Sequence, residues 1–414
     1  FFLLAILSLV AFAFLLPLPI PRYLDFQVLY HANLGLLQEI PLYDRAGQTE
    51  MIARLAGVTP DQVFVLPFPY PPWYALSTIL LALPPVDVAA RLWFGINLLM
   101  LVGSVWLLTN HEKKTILNAA LSPCLSPNPS TKLRASFWKS TGALREGVVV
   151  RVFNYLLAIL FIPALGSLYV GQYIFPVLLG AALMIFALRR ANVPLTALAA
   201  ALLTFKPHLG GPLVLAALAY LLIRRDDFSH RALKAILVTG LFLFGVGFIA
   251  DLIWPVNYLR SLLSFRDVPG VSLCELCASL PVALVGLVTG QTDLLPALPI
   301  GAVLFVLLTT GLFILRRDLF HSPETIIPTA VLITLLADPY LLNYDFTLLL
   351  IPFFALSASA RRMDWPWLVT AYLLPLILLG IFGRGGSPYL SLAAVIFLAA
   401  IFLRNWQKTF YEVR

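Results

Sequence analysis

Charge is scarce in this chain. Only 12% of its 414 residues are Asp, Glu, Lys or Arg, against 60% hydrophobic residues, and the mean hydropathy is +0.92. An ordinary soluble domain carries roughly 25% charged residues, so a soluble globular fold is excluded. Cysteine is nearly absent as well. Of the 3 cysteines, Cys274 and Cys277 have CxxC spacing, but no second pair completes a zinc site, and they read as incidental cysteines near a helix start. Nucleotide and hydrolase signatures are missing: there is no P-loop, no GxGxxG, no HExxH and no Gly-x-Ser-x-Gly. Energy for a reaction must therefore come from an activated lipid or an ion gradient. No internal repeat of usable strength is present.

Long apolar runs are what the chain has instead. A spanning helix needs roughly 20 apolar residues, and runs of about 10–14 are often re-entrant. Full-length candidates cover 1–19, 88–109, 147–164, 173–189, 232–250, 295–315, 341–358, 365–382 and 387–403. Shorter or interrupted ones cover 72–84, 193–205, 209–223, 277–290 and 326–337. The expected fold is an all-α polytopic transmembrane helix bundle, one integral-membrane domain over 1–414 with about 11–13 spans. The chain opens on Phe1 inside an apolar run, and no small-residue cleavage site precedes Arg22. The first span therefore reads as a retained anchor.

The formal charge of +8 does not point to nucleic acid. Arg189-Arg190, Arg224-Arg225 with Arg231 and Lys234, Arg316-Arg317, Arg361-Arg362, and Arg404 with Lys408 each follow an apolar run. Lys and Arg collect in cytoplasmic loops, so these ends face the cytoplasm. Segments 166–172, 205–208, 254–277, 338–345 and 383–387 then face outward. Arg260, Arg266 and Arg384 fall in those outer loops and read as solvated charge. The 110–146 linker is basic and, over 122–130, rich in Ser, Pro and Asn, which reads as a flexible connection. If 72–84 and 88–109 both cross fully, the linker shares a side with the Asp25 loop. Either one of the two is re-entrant or the linker lies outside despite its charge, and a partial crossing by 72–84 is the topology favoured here.

The first outer loop, 21–71, looks structured. From Asp25 it reads as an amphipathic helix, with Phe26, Leu29, Tyr30, Leu37 and Ile40 on one face and Gln27, His31 and Gln38 on another. Pro41-Leu42-Tyr43-Asp44 ends it, and a short helix over 47–56 follows. Pro67-Phe68-Pro69-Tyr70-Pro71-Pro72 keeps the chain extended until a helix can begin with Pro72 in its first turn.

The polar residues that look purposeful fall on the outer side. Asp25 suits two roles, a helix N-cap or a general base taking a proton from an acceptor hydroxyl. Lys206 and His208 interrupt two apolar runs, where a cation calls for a partner. Phosphate suits the pair, and a snorkelling lysine is the structural alternative. Gln172 follows Gly171 at another outer turn and can hydrogen-bond a sugar, a phosphate or a neighbouring helix. Asp338-Pro339-Tyr340-Leu341-Leu342-Asn343-Tyr344-Asp345 reads as a polar pocket wall or a plain hairpin turn.

The order of these pieces resembles the GT-C superfamily of integral-membrane glycosyltransferases, and most closely glycosyltransferase family 87. The pieces are Asp-Phe after the first span, Pro-Leu-Tyr-Asp, Phe-Pro-Tyr-Pro-Pro, Gly-Gln, Phe-Lys-Pro-His-Leu and Asp-Pro-Tyr-Leu-Leu-Asn-Tyr-Asp. The resemblance runs roughly from Asp25 to Asp345. It implies a multi-pass enzyme of the cell membrane with its active site on the extracytoplasmic side. The reaction it implies moves a hexose, mannose favoured, from a polyprenyl-phosphate sugar to a lipid or glycan acceptor with inversion. Asp25 matches the base, and Lys206 with His208 the donor-phosphate site. Gln172 matches a pocket residue, and Tyr70, Asp338, Tyr340 and Asp345 are expected to line the same substrate pocket. The chain departs from the pattern in its long linker and in Gln27, which stands where a second acid would complete an Asp-x-Asp pair. No cofactor and no metal ligand set is assigned. The partners are then donor, acceptor and membrane lipids, without nucleic acid. Two rivals come from other classes. A lipid or solute transporter predicts inverted repeats, and a non-catalytic scaffold has no need for Asp25 and Lys206 to converge on one cavity.

Overall fold

A computed structural model describes residues 24–109, 149–265, 277–358, 360, 364–383 and 389–412. The first apolar span, the 110–146 linker, Cys124, Arg266, Cys274, Arg361-Arg362 and Arg384 lie outside the described residues. Those described are helical almost throughout, with one isolated β-bridge, Cys277 to Leu342, and no strand among them. The all-α bundle is as expected.

Several of these helices can cross a membrane by length and composition, as a polytopic bundle requires. Among the described residues five helices are long and apolar enough to cross a membrane: Val86–Thr109, Pro207–Arg224, Asp227–Ala250, Leu294–Leu315 and Trp365–Phe382. The pair Val149–Leu160 and Ile162–Val170, bent by 63°, is a broken span or a re-entrant loop. Pro163 causes the bend, because it has no N–H to carry the helical ladder through. The remaining candidates are shorter. Ile174–Arg189 has 16 residues, which is about 24 Å of helix against a hydrocarbon core of about 30 Å. Apolarity along the sequence cannot separate a lipid-crossing helix from one buried inside the bundle. Ile174–Arg189 is the second kind, buried on nearly every face.

Two close contacts hold the centre. Val193–Leu203 folds back on Ile174–Arg189 through a turn in which the Asn192 side chain accepts the Leu195 N–H at 3.0 Å. Pro207–Arg224 then starts against the end of Val193–Leu203. A Cβ on Gly210 would lie 1.8 Å from the Leu203 carbonyl oxygen, so glycine is required there. Asp227–Ala250 and Leu294–Leu315 keep most of their apolar side chains exposed, which suits surfaces that face lipid.

The first loop has the expected order with one correction. Leu24–Leu37 is followed by Arg45–Ala56, capped by Asp44, whose carboxylate accepts the Gly47 N–H at 3.1 Å. The chain stays extended through Pro71 and enters Pro72–Thr78 with proline in the first turn. A 3-10 turn, Ile79–Ala82, ends this segment. At about 1.5 Å per residue it is too short to cross, as the partial-crossing topology requires. The correction concerns sidedness. Leu37 is 45% exposed and Ile40 lies beyond the helix, while Phe26, Leu29, Ala32 and Asn33 are fully buried. The helix does not lie on an interface by an apolar stripe. It packs by its first two turns into an aromatic cluster with Tyr70, Tyr74, Trp93 and Tyr173.

Candidate active site

That aromatic cluster positions the carboxylate. The Ile162–Val170 helix ends at Gly171, whose φ of 73° is the left-handed conformation glycine accepts freely. The turn throws Gln172 and Tyr173 under the Leu24–Leu37 helix. Trp93 Nε1 donates to the Gly171 carbonyl at 2.9 Å, Asn97 Nδ2 to the Gln172 carbonyl at 3.3 Å, and the Leu29 N–H to the Tyr173 hydroxyl at 3.2 Å. Tyr70 meets Tyr173 edge-on at 4.8 Å. Asp25 sits in the first turn of its helix, where the positive end of the helix dipole favours an anion.

A cavity of about 640 Å³ opens beside it, lined by Asp25, Tyr70, Lys206, His208, Asp338 and Tyr340 among others. Six of the eight candidate residues therefore share one cavity, although 313 positions separate Asp25 from Asp338 in the chain (338 less 25). Gln172 and Asp345 do not line it. Gln172 is fully buried against Asp25. Its Oε1 accepts the Tyr173 N–H at 3.2 Å, and its Nε2 makes no well-formed hydrogen bond among the described residues. Asp345, expected in the pocket wall, is fully buried behind it.

Burial pushes the Asp25 carboxyl up to about 6. The Gln172 amide and the Lys206 ammonium pull it down, and Asp345 pushes it further up. Asp338 is held well above the ordinary carboxylate range, again chiefly by burial. Its Oδ1 accepts the Tyr340 N–H at 2.9 Å, which opposes the rise, while its Oδ2 has no hydrogen-bond partner among the described residues. Ser279 Oγ donates to the Asp338 carbonyl at 3.0 Å and the Ala278 N–H to the Leu341 carbonyl at 2.7 Å, so the 277–279 segment buttresses this loop.

Lys206 is the N-cap residue of Pro207–Arg224, at the break after Val193–Leu203. It is 3% exposed, and its Nζ lies 2.5 Å from Asp345 Oδ1 and 5.2 Å from the Tyr344 ring centre. This is not a snorkelling lysine. His208 reaches into the cavity and meets Tyr340 edge-on at 6.2 Å between ring centres. Among the described residues no group of three or more His, Cys, Asp and Glu side chains could hold a metal ion.

Sequence reasoning missed the far wall. Leu294, Leu298, Gly301, Ala302, Phe305 and Val306 line the cavity from one stripe of the Leu294–Leu315 helix. Gly301 lets the 337–339 turn pack against that helix, since a Cβ there would lie 2.4 Å from the Ala337 carbonyl oxygen. The small pair Gly301-Ala302 inside an apolar run was the available signal. Cys277 also differs from expectation: it is disulfide-bonded, its partner lying outside the described residues.

A family model described as glycosyltransferase family 87 matches residues 68–339, well over half of the chain. The match takes in Tyr70, Gln172, Lys206, His208 and Asp338 and stops short of Asp25, Tyr340 and Asp345. Searches of curated proteins and of solved structures returned no match.

Proposed function

The chain belongs to glycosyltransferase family 87, and from that we propose that it moves a hexose, mannose favoured, from a polyprenyl-phosphate sugar to a hydroxyl of a lipid or glycan acceptor, with inversion. The observation that carries this reading is the shared cavity of Asp25 and Lys206. A base for the acceptor and a cation for the leaving phosphate are the two groups such a transfer needs, and a scaffold or a transporter needs neither together.

In the proposed mechanism the acceptor hydroxyl gives its proton to Asp25 as its oxygen bonds to the anomeric carbon. The bond from that carbon to the phosphate oxygen breaks, and its electron pair leaves with the polyprenyl phosphate. Lys206, with His208 beside it, stabilises the charge that gathers on the phosphate. A carboxyl near 6 is a stronger base than an ordinary aspartate and is still mostly ionised at neutral pH.

A lipid-linked donor suits the apolar wall. The cavity runs along the Leu294–Leu315 stripe, where Leu298 and Val306 are exposed on the outside of the bundle. A prenyl chain can lie there in the bilayer while its phosphate reaches Lys206. An extracytoplasmic active site is supported by the charge pattern and by the Cys277 disulfide, since disulfides persist in oxidising compartments. The test is a transfer assay with a panel of radiolabelled polyprenyl-phosphate sugars on the wild type and Asp25→Asn. Transfer from one member of the panel, abolished in Asp25→Asn at unchanged expression, is expected. Full activity in Asp25→Asn would falsify the assignment of the base.

A further inference from the structure

The pairing of Lys206 with Asp345 carries an inference that rests on the transfer reading and goes beyond it. We propose that Asp345 is a positioning residue, which never touches substrate and holds Lys206 at the cavity wall as a charged ammonium aimed at the donor phosphate.

The division of labour is visible in the burial. Lys206 lines the cavity and Asp345, 0% exposed, does not. Both carboxylate oxygens of Asp345 are engaged away from the cavity: Oδ1 with Lys206 Nζ at 2.5 Å and Oδ2 with the Leu342 N–H at 3.0 Å. The turn that carries Asp345 is itself anchored. Ser167 Oγ donates to the Tyr344 carbonyl at 3.1 Å and lies 2.9 Å from the Thr347 hydroxyl. The backbone of Lys206 is fixed from the other side by Pro207 and by the contact of Gly210 with Leu203. An ammonium has three N–H donors, and one goes to Asp345. The others remain for phosphate oxygens.

Desolvation explains why a carboxylate belongs there. A buried ion pair contributes little to stability by itself, because taking two charges from water offsets their attraction. What it secures is the charge state. An ammonium left without a counter-ion in an apolar site gives up its proton well below the ordinary lysine range. A neutral amine cannot stabilise a departing phosphate. The other groups that act on Lys206 are Asp25, Asp338 and His208 through space and the Tyr344 ring beneath it. Asp338 is held towards its neutral form by burial, and Asp25 is the base, charged only until it takes the acceptor proton.

The experiment compares kcat/KM from about pH 6 to pH 10 for the full-length wild type, Asp345→Asn, Lys206→Gln and the Lys206→Gln/Asp345→Asn double variant, using the sugar donor that the wild type accepts. Asp345→Asn is expected to keep the acid limb and lose activity towards alkaline pH, by about tenfold at pH 9 relative to the wild type beyond any loss at pH 7. In the Lys206→Gln background the second substitution is expected to change kcat/KM less than about twofold, because Asp345 then has nothing to hold. An Asp345→Asn profile parallel to that of the wild type overturns the proposal, as does a double variant impaired by the product of the two single effects. The double variant carries no unpaired buried charge, so its comparison with Lys206→Gln decides the matter even if Asp345→Asn fails to fold. A wild type that transfers from no polyprenyl-phosphate sugar overturns the transfer reading and this proposal together. A wild type that transfers, with an inactive Asp25→Asn, keeps the transfer reading whatever Asp345→Asn does.

Discussion

Two ion pairs stand at opposite helix ends of this bundle and show what burial does to the same interaction. Lys206–Asp345 has side chains 4% and 0% exposed, whereas Arg189–Glu324 has side chains 31% and 36% exposed. The exposed pair joins the ends of Ile174–Arg189 and Pro323–Ala337 on the arginine-bearing face. Water screens it, and such pairs contribute about 0–1 kcal/mol. The buried pair pays a desolvation cost that its attraction only roughly offsets. Its presence is therefore better explained by the cavity it borders than by stability. On the proposed reading, one end of the molecule carries charge as an address for its side of the membrane. On the same reading the other end carries charge for the proposed transfer.

The sharpest way to break this comparison is to remove the charge on Asp25. Asp25→Asn is expected to abolish transfer, a loss of at least about 10³-fold, since it removes the proposed base. The same substitution is expected to stabilise the protein. The folded-state carboxyl stands near 6, above its unfolded value of 3.8. Between those values the native state binds more protons than the unfolded one, so stability falls as pH rises through this window. At pH 8 the variant escapes that penalty, on the order of 1–3 kcal/mol. Thermal unfolding midpoints of the two proteins should converge near pH 4 and separate above pH 6. The wild-type kcat/KM should rise with pH through about 6 and then level, following deprotonation of the same carboxyl. A profile that levels below pH 5, or a variant that is less stable at pH 8, contradicts the assignment of a buried base.

A smaller effect tests the apolar half of the cavity. Ala302 faces the groove on the Leu294–Leu315 stripe and is exposed. Ala302→Trp is expected to raise KM about tenfold for a long-chain polyprenyl-phosphate sugar and to change it little for a short, water-soluble prenyl analogue. Equal effects on both donors would show that the groove does not hold the lipid. Ala302 is the better site for this test than Gly301, where any Cβ meets the Ala337 carbonyl and disturbs the Asp338 loop.

How much of this was legible in the sequence follows from the kind of signal each part leaves. The turns at the cavity end were legible because their interruptions are chemical: Gly171-Gln172 after an apolar run, Lys206-Pro207 between two, Asp338-Pro339 before an aromatic pair. The side assignment grouped them, since Arg and Lys mark the opposite ends. The apolar wall left almost nothing to read, because Leu294, Leu298 and Phe305 look like any spanning helix. The burial of Ile174–Arg189 was hidden for a related reason. Hydropathy reports that a segment avoids water but not whether lipid or protein replaces it, so Ile174–Arg189 reads as a span and sits in the core. Asp345 was assigned to the pocket wall because a polar turn at that depth suggests a cavity. That the turn aims Asp345 at Lys206, 139 residues away, is a tertiary fact with no local signature.

The smallest expected effect is at the exposed pair. Arg189→Gln is expected to lower stability by no more than about 1 kcal/mol and to leave kcat/KM and its pH dependence unchanged, because the remaining Glu324 carboxylate stays hydrated. Ser322 Oγ still reaches that carboxylate, and the Ser322 hydroxyl still accepts the Glu324 N–H at 3.2 Å, so the start of Pro323–Ala337 keeps its cap. Removing one partner of the buried pair leaves an uncompensated charge, a loss of about 3–5 kcal/mol by the usual scale. Lys206→Gln and Arg189→Gln delete the same kind of charge from helix-end residues, so unfolding midpoints of the two variants, measured in one detergent, isolate burial as the variable. If Arg189→Gln proves as damaging as Lys206→Gln, the arginine-bearing end is more than an address. The contrast between the two ends then no longer rests on burial.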